Sequence, residues 1–313
     1  MRLFSGSSHP ALTKDIAASL SINTGNLTLK TFSCGEIYVK YGESVRARDV
    51  YIVQTGSLRP NEDLMELFLM CQAAKLSFAK NVHVIMPHFP YARQDRVSEP
   101  REPISAKLTA HLLEEAGADH LIVLDLHSDQ IQGFFSIPVD ALNARGIFAD
   151  YFQKKKLKGC TVVAPDAGGA KRAKKFADMI DAELAILHKT RPRHGEADIH
   201  HVVGDIKGRT CILFDDIIDT AGTLLSAKRA LINHGANKEM YAAATHGIFS
   251  GKAQENLRKA AFTEVVVTDS IPQKKFKGLR VLPIAPLLAE VIQHIERGES
   301  VTDIYKPKGG GGR

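Results

Sequence analysis

Short apolar runs that end in polar turns and lead into amphipathic segments recur along the whole chain, and this alternation constrains the fold more than any single motif. In the first half, strand-like runs fall at residues 2–5, 27–32, 50–54, 82–86 and 121–125, with helical patterns at 10–20, 61–79 and 104–116. The second half repeats the theme, with strands at 161–164, 184–188, 211–214, 240–246 and 264–268 and helices at 170–180, 223–234 and 251–261. Strands that alternate with helices pair in parallel through helical crossovers, so the pattern predicts an α/β architecture. A chain of 313 residues is long enough for two medium domains. The expected division is 1–143 and 144–305, each domain a mainly parallel sheet flanked by helices, with 141–156 as the bridge. The final helix, 285–297, is a candidate to pack back on the N-terminal domain. Residues 306–313, Lys-Pro-Lys followed by glycines, read as a flexible tail.

Composition narrows the function classes. The longest apolar runs, such as 121–124, are far too short to span a bilayer, and the first residues turn to Ser5-Gly6-Ser7 before any secretory apolar core could form. Cys34, Cys71, Cys160 and Cys211 are scattered without a paired spacing, which fits free thiols in a reducing cytoplasm. The net charge of +6 invites a nucleic-acid partner. No zinc-finger spacing or aromatic RNA-binding strand supports one, and several basic clusters lie beside phosphate-type turns. Small, multiply charged phosphates account for the balance, so neither a nucleic acid nor a membrane is expected as partner.

Polar motifs cluster where strands end, the place where open parallel sheets bind ligands. The stretch Cys211-Ile-Leu-Phe-Asp215-Asp216-Ile-Ile-Asp219-Thr220-Ala221-Gly222-Thr223 joins an apolar strand, ending in two carboxylates, to a helix through a turn of small residues. Such a corner leaves backbone N–H groups unpaired at a helix N-terminus, where the dipole favours an anion. The carboxylates cannot serve that anion and suit hydroxyl groups or a metal. A phosphate cradle beside hydroxyl-binding acids describes a ribose phosphate site. Asp125-Leu126-His127 and Pro165-Asp166-Ala167-Gly168-Gly169 close two further strands, although His127 alone could be a packing residue and Asp166 alone a helix cap.

The 211–223 stretch resembles the phosphoribosyl-diphosphate loop of the phosphoribosyltransferase-type fold, with Ala221 in place of the first glycine. Other segments extend the likeness over nearly the whole chain. They are Ser5-Gly6-Ser7, Phe32-Ser33-Cys34-Gly35-Glu36, Glu43-Ser44-Val45-Arg46, the run from Pro87 to Arg96, the His127 and Asp166 corners, and Lys189-Thr190-Arg191-Pro192-Arg193. Together they resemble the ribose-phosphate pyrophosphokinase (phosphoribosyl-diphosphate synthetase) family.

That resemblance implies two similar phosphoribosyltransferase-type domains and transfer of diphosphate from MgATP to the anomeric hydroxyl of ribose 5-phosphate. It implies Lys189 and Arg191 as catalytic groups on a mobile loop. Phe32, Cys34, Gly35, Glu36, Arg93 and Gln94 would bind ATP; Arg191, Asp215, Asp216, Asp219, Thr220, Ala221, Gly222 and Thr223 would bind ribose 5-phosphate. His127 and Asp166 would hold Mg²⁺, two ions per site, at least one arriving with ATP. Ser44 and Arg46 are candidates for a regulatory site for phosphate or ADP, and a homohexamer built from dimers is the implied assembly.

Two departures stand out: Cys34 replaces the usual acid of the adenine segment, and 300–305 replaces a serine-rich ending tied to regulation. A transferase that consumes phosphoribosyl diphosphate, or a non-catalytic synthetase-associated subunit, remains an alternative. Gly247-Ile-Phe-Ser-Gly251-Lys252 is one residue short of a nucleotide-binding P-loop and is rejected as one. His194, Glu196, Asp198, His200 and His201 crowd together without a zinc spacing and read as an exposed hairpin.

Overall fold

The computed structural model describes residues 1–190 and 199–305. Two compact units divide the chain. One contains Met1–Leu142, Ser270–Pro272 and the chain from Pro283 onward; the other contains Asn143–Asp269 and Gln273–Leu282.

The first unit runs β1 (Arg2–Ser5), α1 (Pro10–Ser19), β2 (Leu27–Thr31), β3 (Ile37–Tyr41), β4 (Asp49–Val53), α2 (Pro60–Leu76), β5 (Asn81–Met86), α3 (Ser105–Glu115), β6 (His120–Leu124) and β7 (Val139–Leu142). Strands β1, β4, β5, β6 and β7 form a parallel sheet in the order β1-β4-β5-β6-β7. Alternate residues Phe4, Ile52, Val84 and Val123 share one core with Leu67 and Met70 of α2 and Leu113 of α3. Strands β4 and β5 are buried along nearly their whole length, as strands covered on both faces must be. Helix α1 starts where Pro10 presets the first turn and His9 Nδ1 accepts the Leu12 N–H at 3.2 Å.

Strands β2 and β3 form a separate antiparallel hairpin. On β3, Ile37, Val39 and Tyr41 face inward while Tyr38 and Lys40 face out. The Phe32 N–H donates to Glu36 O and the Gly35 N–H to Phe32 O, both at 2.8 Å, which closes the connecting loop. Gly35 turns it at φ +94, a conformation that a residue without Cβ adopts freely.

The second unit runs α4 (Arg145–Lys155), β8 (Cys160–Ala164), α5 (Ala170–Met179), β9 (Glu183–Thr190), β10 (Ile199–Val203), β11 (Thr210–Ile218), α6 (Gly222–Asn233), β12 (Met240–Gly247), α7 (Ala253–Ala260), β13 (Glu264–Thr268) and β14 (Leu279–Leu282). Its sheet has the order β10-β9-β8-β11-β12-β13-β14, and among the described residues only β10 pairs antiparallel. Every residue of β12 is buried. Phe214 of β11 stacks on Phe176 of α5 with centroids 4.3 Å apart and meets Phe148 of α4 edge-on at 5.5 Å.

After β14 the chain returns to the first unit as α8 (Ala285–Arg297), which packs against α1 and ends at Gly298 with φ +67. The intervening Ser270 carbonyl accepts the Thr55 hydroxyl at 2.8 Å, just beyond the end of β4. Among the described residues, no helix is long and apolar enough to cross a membrane.

Four strands escape the sequence pattern: β3, β7, β10 and β14. The stretch that reads as a bridge, 141–156, holds the end of β7 and the whole of α4.

The Phe214 ring anchors the second unit's aromatic cluster. Phe214→Ala is expected to lower stability by about 3–5 kcal/mol, measured by urea unfolding.

Candidate active site

Strand β11 does not stop at Phe214. It stays in register with β12 through Asp215↔Ala244, Ile217↔His246 and Ile218↔Gly247. The acid pair therefore sits inside the strand, a correction to the reading of carboxylates at its end. What permits two carboxylates there is Arg172 of α5. Its Nη1 lies 2.8 Å from Asp216 Oδ1 and 3.3 Å from Asp215 Oδ1. Asp215 Oδ1 also accepts the Asp216 N–H at 2.9 Å.

Asp216 is buried, and Asp215 is the more accessible of the two. Burial, then the neighbouring Asp216 charge, pushes the Asp215 carboxyl well above its ordinary range, against the pull of Arg172.

Beyond Ile218 the chain turns into α6. Ala221 is buried at φ +58 and Gly222 begins the helix. The first helical hydrogen bond runs from the Leu225 N–H to Ala221 O, so the N–H groups of Gly222, Thr223 and Leu224 precede the ladder. Thr220, Gly222 and Thr223 are exposed. A Cβ built on Gly222 would meet only Thr220 Oγ1, at 3.8 Å, so internal packing does not require glycine there. The open space suits a ligand that approaches the backbone closely.

The same turn is tied from the β12–α7 side. Ser250 Oγ donates to Asp219 Oδ1, and Asn256 Nδ2 donates to Thr220 O at 2.9 Å. Ser250 belongs to the segment rejected as a nucleotide loop. Sequence reasoning missed it together with Asn256, and passed over Arg172 as one of several basic residues behind a glycine turn.

At the β8–α5 corner, Asp166 Oδ1 accepts the Gly169 N–H at 2.9 Å. A Cβ on Gly168 would crowd that oxygen at 3.2 Å, so the glycine leaves room for the carboxylate. Asp166 is exposed, and so is His127 beyond β6 in the first unit. A carboxylate oxygen is the hard donor that Mg²⁺ prefers, and that ion normally takes few protein ligands beside substrate phosphates. The donors present fit such an ion, and among the described residues no group of three or more His, Cys, Asp or Glu forms a cage of its own.

In the first unit, Phe32 is 51% exposed beside Tyr38, with ring centroids 5.9 Å apart. Cys34, Gly35 and Glu36 are exposed on the same loop, and Arg93 and Gln94 are exposed beyond β5. Gln94 Oε1 accepts the Ser105 hydroxyl at 2.6 Å. Ser44 is exposed, and the Arg46 guanidinium lies 4.4 Å from the Phe78 ring centroid. Cys71, Cys160 and Cys211 are buried, and burial raises each thiol's pKa, Cys211 to about 12.

Lys189, read as a loop residue, lies with its backbone on β9, opposite His200 of β10. Arg191, His194, Glu196 and Asp198 fall outside the described residues. The structure thus groups Asp166, Lys189, Arg172 and 215–223 in the second unit. The segments at 32–36, 44–46, 93–94 and 127 belong to the first.

Residues 1–117 match the N-terminal domain of ribose phosphate pyrophosphokinase, and residues 195–306 the phosphoribosyl synthetase-associated domain. The ribose-phosphate pyrophosphokinase of Oceanobacillus iheyensis is 45% identical over 308 residues, covering 97% of both chains. The chain belongs to the ribose-phosphate pyrophosphokinase family.

The Bacillus subtilis member shows the same 45% identity over 97% of each chain. The crystal structure of phosphoribosylpyrophosphate synthetase from Mycobacterium smegmatis superposes with a TM-score of 0.90 at 42% identity, covering 95% of this chain and 99% of that one. The fold is therefore that of the pyrophosphokinase family, two phosphoribosyltransferase-type domains, each with a mainly parallel sheet flanked by helices.

Because the folded Asp215 holds its proton to higher pH than the unfolded chain does, stability is lost as pH rises from roughly 4 toward the raised value. Asp215→Asn removes that loss. Thermal melts from pH 4 to 8 are expected to show the variant gaining on its parent as pH rises; parallel curves would contradict the assignment.

Proposed function

We propose that this chain is a ribose-phosphate diphosphokinase, which transfers the β,γ-diphosphoryl group of MgATP to the anomeric hydroxyl of ribose 5-phosphate. The products are 5-phosphoribosyl 1-diphosphate and AMP. The observation that carries this reading is identity of about 45% over nearly the full length of named family members. A transferase that only consumes phosphoribosyl diphosphate needs the 215–223 loop but not an exposed aromatic at Phe32 or the Arg93-Gln94 segment. Retention of both supports synthesis over consumption.

Diphosphoryl transfer asks for alignment and charge neutralisation rather than covalent help. Thr220, Ala221, Gly222 and Thr223 seat the 5-phosphate on backbone N–H and hydroxyl groups at the start of α6, and Asp219 and Asp215 orient ribose hydroxyls. Asp216 serves chiefly through its Arg172 pair, which fixes the strand carrying Asp215.

Phe32 stacks on adenine, while Cys34, Gly35 and Glu36 border it. Arg93 and Gln94 hold the nucleotide. Asp166 and His127 hold magnesium, two ions per site. Magnesium held by these residues would supply charge neutralisation for the phosphates. Lys189 and Arg191 donate to the transferring group and stabilise the negative charge that grows on it. Homodimers assembling into hexamers, with Ser44 and Arg46 in a phosphate- or ADP-responsive site, complete the reading.

Protein incubated with ribose 5-phosphate, ATP and Mg²⁺ is expected to form AMP and phosphoribosyl diphosphate in equal amounts. Chelation of the metal should abolish both, and Lys189→Ala should lower kcat by about 100-fold or more, the usual worth of one transition-state donor. A parent and a Lys189→Ala protein with equal turnover would instead support a non-catalytic subunit.

The Cys34 thiol is a weaker hydrogen-bond acceptor than the carboxylate usual in the family. Cys34→Asp is therefore expected to lower KM for ATP and raise the preference for ATP over GTP. Unchanged values would remove Cys34 from the adenine site.

A further inference from the structure

Resting on the reading of 219–223 as the ribose 5-phosphate seat, we propose that Asn256 of α7 is a positioning residue. It holds the Thr220–Ala221 peptide in the orientation that the phosphate requires.

A trans peptide is planar, with its carbonyl and its N–H on opposite sides. Asn256 Nδ2 donates to the Thr220 carbonyl at 2.9 Å. That bond draws the C=O toward α7 and, because the peptide is trans, turns the Ala221 N–H away from α7. The orientation comes with a left-handed residue: Ala221 sits at φ +58 and ψ +14. A residue bearing a Cβ pays for that conformation in a way that glycine does not.

Reversing the peptide would return Ala221 to negative φ and relieve its Cβ. It would also swing a carbonyl oxygen into the place of an N–H, toward an anion that it repels. The local preference of alanine therefore works against phosphate binding, and the Asn256 hydrogen bond works for it. Ser250, on the same β12–α7 connection, holds Asp219 one residue earlier, so the segment 219–221 is braced at two neighbouring points.

Helix α7 buries Ala253, Leu257 and Ala260, and Asn256 lies half-buried at the edge of that face. Asn256→Asp keeps the side chain's volume there while removing the donor.

The test is steady-state AMP formation by the full chain carrying Asn256→Ala, Asn256→Asp, Ala221→Gly and the Asn256→Ala/Ala221→Gly pair. Asn256→Ala is expected to raise KM for ribose 5-phosphate about fivefold, the worth of one hydrogen bond, with KM for ATP unchanged. Asn256→Asp keeps the shape but loses the donor, and should do at least as much harm. In the Ala221→Gly background, Asn256→Ala should cost less than about twofold, because glycine has no steric reason to reverse the peptide.

Equal penalties in both backgrounds, or a matching rise in KM for ATP, would overturn the proposal and leave Asn256 as a general support of α7. Should the parent form no AMP, the functional reading fails by itself. Calorimetric titration of ribose 5-phosphate into the same variants then reads the same ratios as Kd, and absence of binding by the parent overturns the inference as well.

Discussion

The ion pair between Arg172 and the two aspartates of β11 is the interaction on which the second unit's candidate site depends. Two adjacent carboxyl groups in a strand of a covered parallel sheet are costly to bury, and a single guanidinium donating to both lowers that cost without returning Asp215 to its ordinary range. β11 keeps its register with β12 for four residues beyond Phe214. The strand thereby delivers Asp219 and the turn at 220–221 to the start of α6 and within reach of Ser250 and Asn256. Arg172 comes from α5, the helix that follows the Asp166 corner. One side chain thus links the proposed metal ligand's helix to the proposed ribose loop.

The two sets of candidate ligand groups are built on different physical footings. In the second unit the recognition elements are backbone N–H groups and carboxylates held by internal hydrogen bonds, an arrangement organised before any ligand arrives. In the first unit they are exposed side chains on a hairpin loop and on the segment after β5. There Phe32 contacts only Tyr38 among aromatic neighbours within the described residues, and Gln94 is steadied by Ser105. A phosphate seat rewards fixed dipoles, whereas an aromatic base needs a flat surface that stays partly open to admit it.

Much of the fold was legible because hydrophobic periodicity and turn residues agree with tertiary context. β12, β8 and β5 are short apolar runs between turns, and they are strands buried on both faces. Three of the edge strands were not legible. β7 and β14 have four residues each with a charged residue in the middle, and β10 carries two histidines and no apolar run beyond Val202-Val203.

The boundary at Phe214 failed for a related reason: charge reads as the end of a strand unless a distant guanidinium is known to meet it. For the candidate site, local motifs point to residues that follow strand ends in the structure, Asp166, His127 and 219–223. Arg172, Ser250 and Asn256 act across 31 to 44 residues of sequence, and no local spacing announces them. In the sequence Ala221 shows only as an alanine in place of a glycine, because its left-handed φ belongs to the turn and cannot be seen in the residue type.

The distribution of the thiols has a chemical consequence. Three of the four cysteines are buried with their ionisation suppressed, and only Cys34 faces solvent, on the loop between β2 and β3. Toward a polar alkylating reagent the native protein is thus a one-cysteine molecule, since thiolate character and access both govern reactivity. The hairpin read as the nucleotide's docking edge carries its own attachment point for a spectroscopic label. An environment-sensitive dye placed there would report on that edge alone, with no engineering of the rest of the chain.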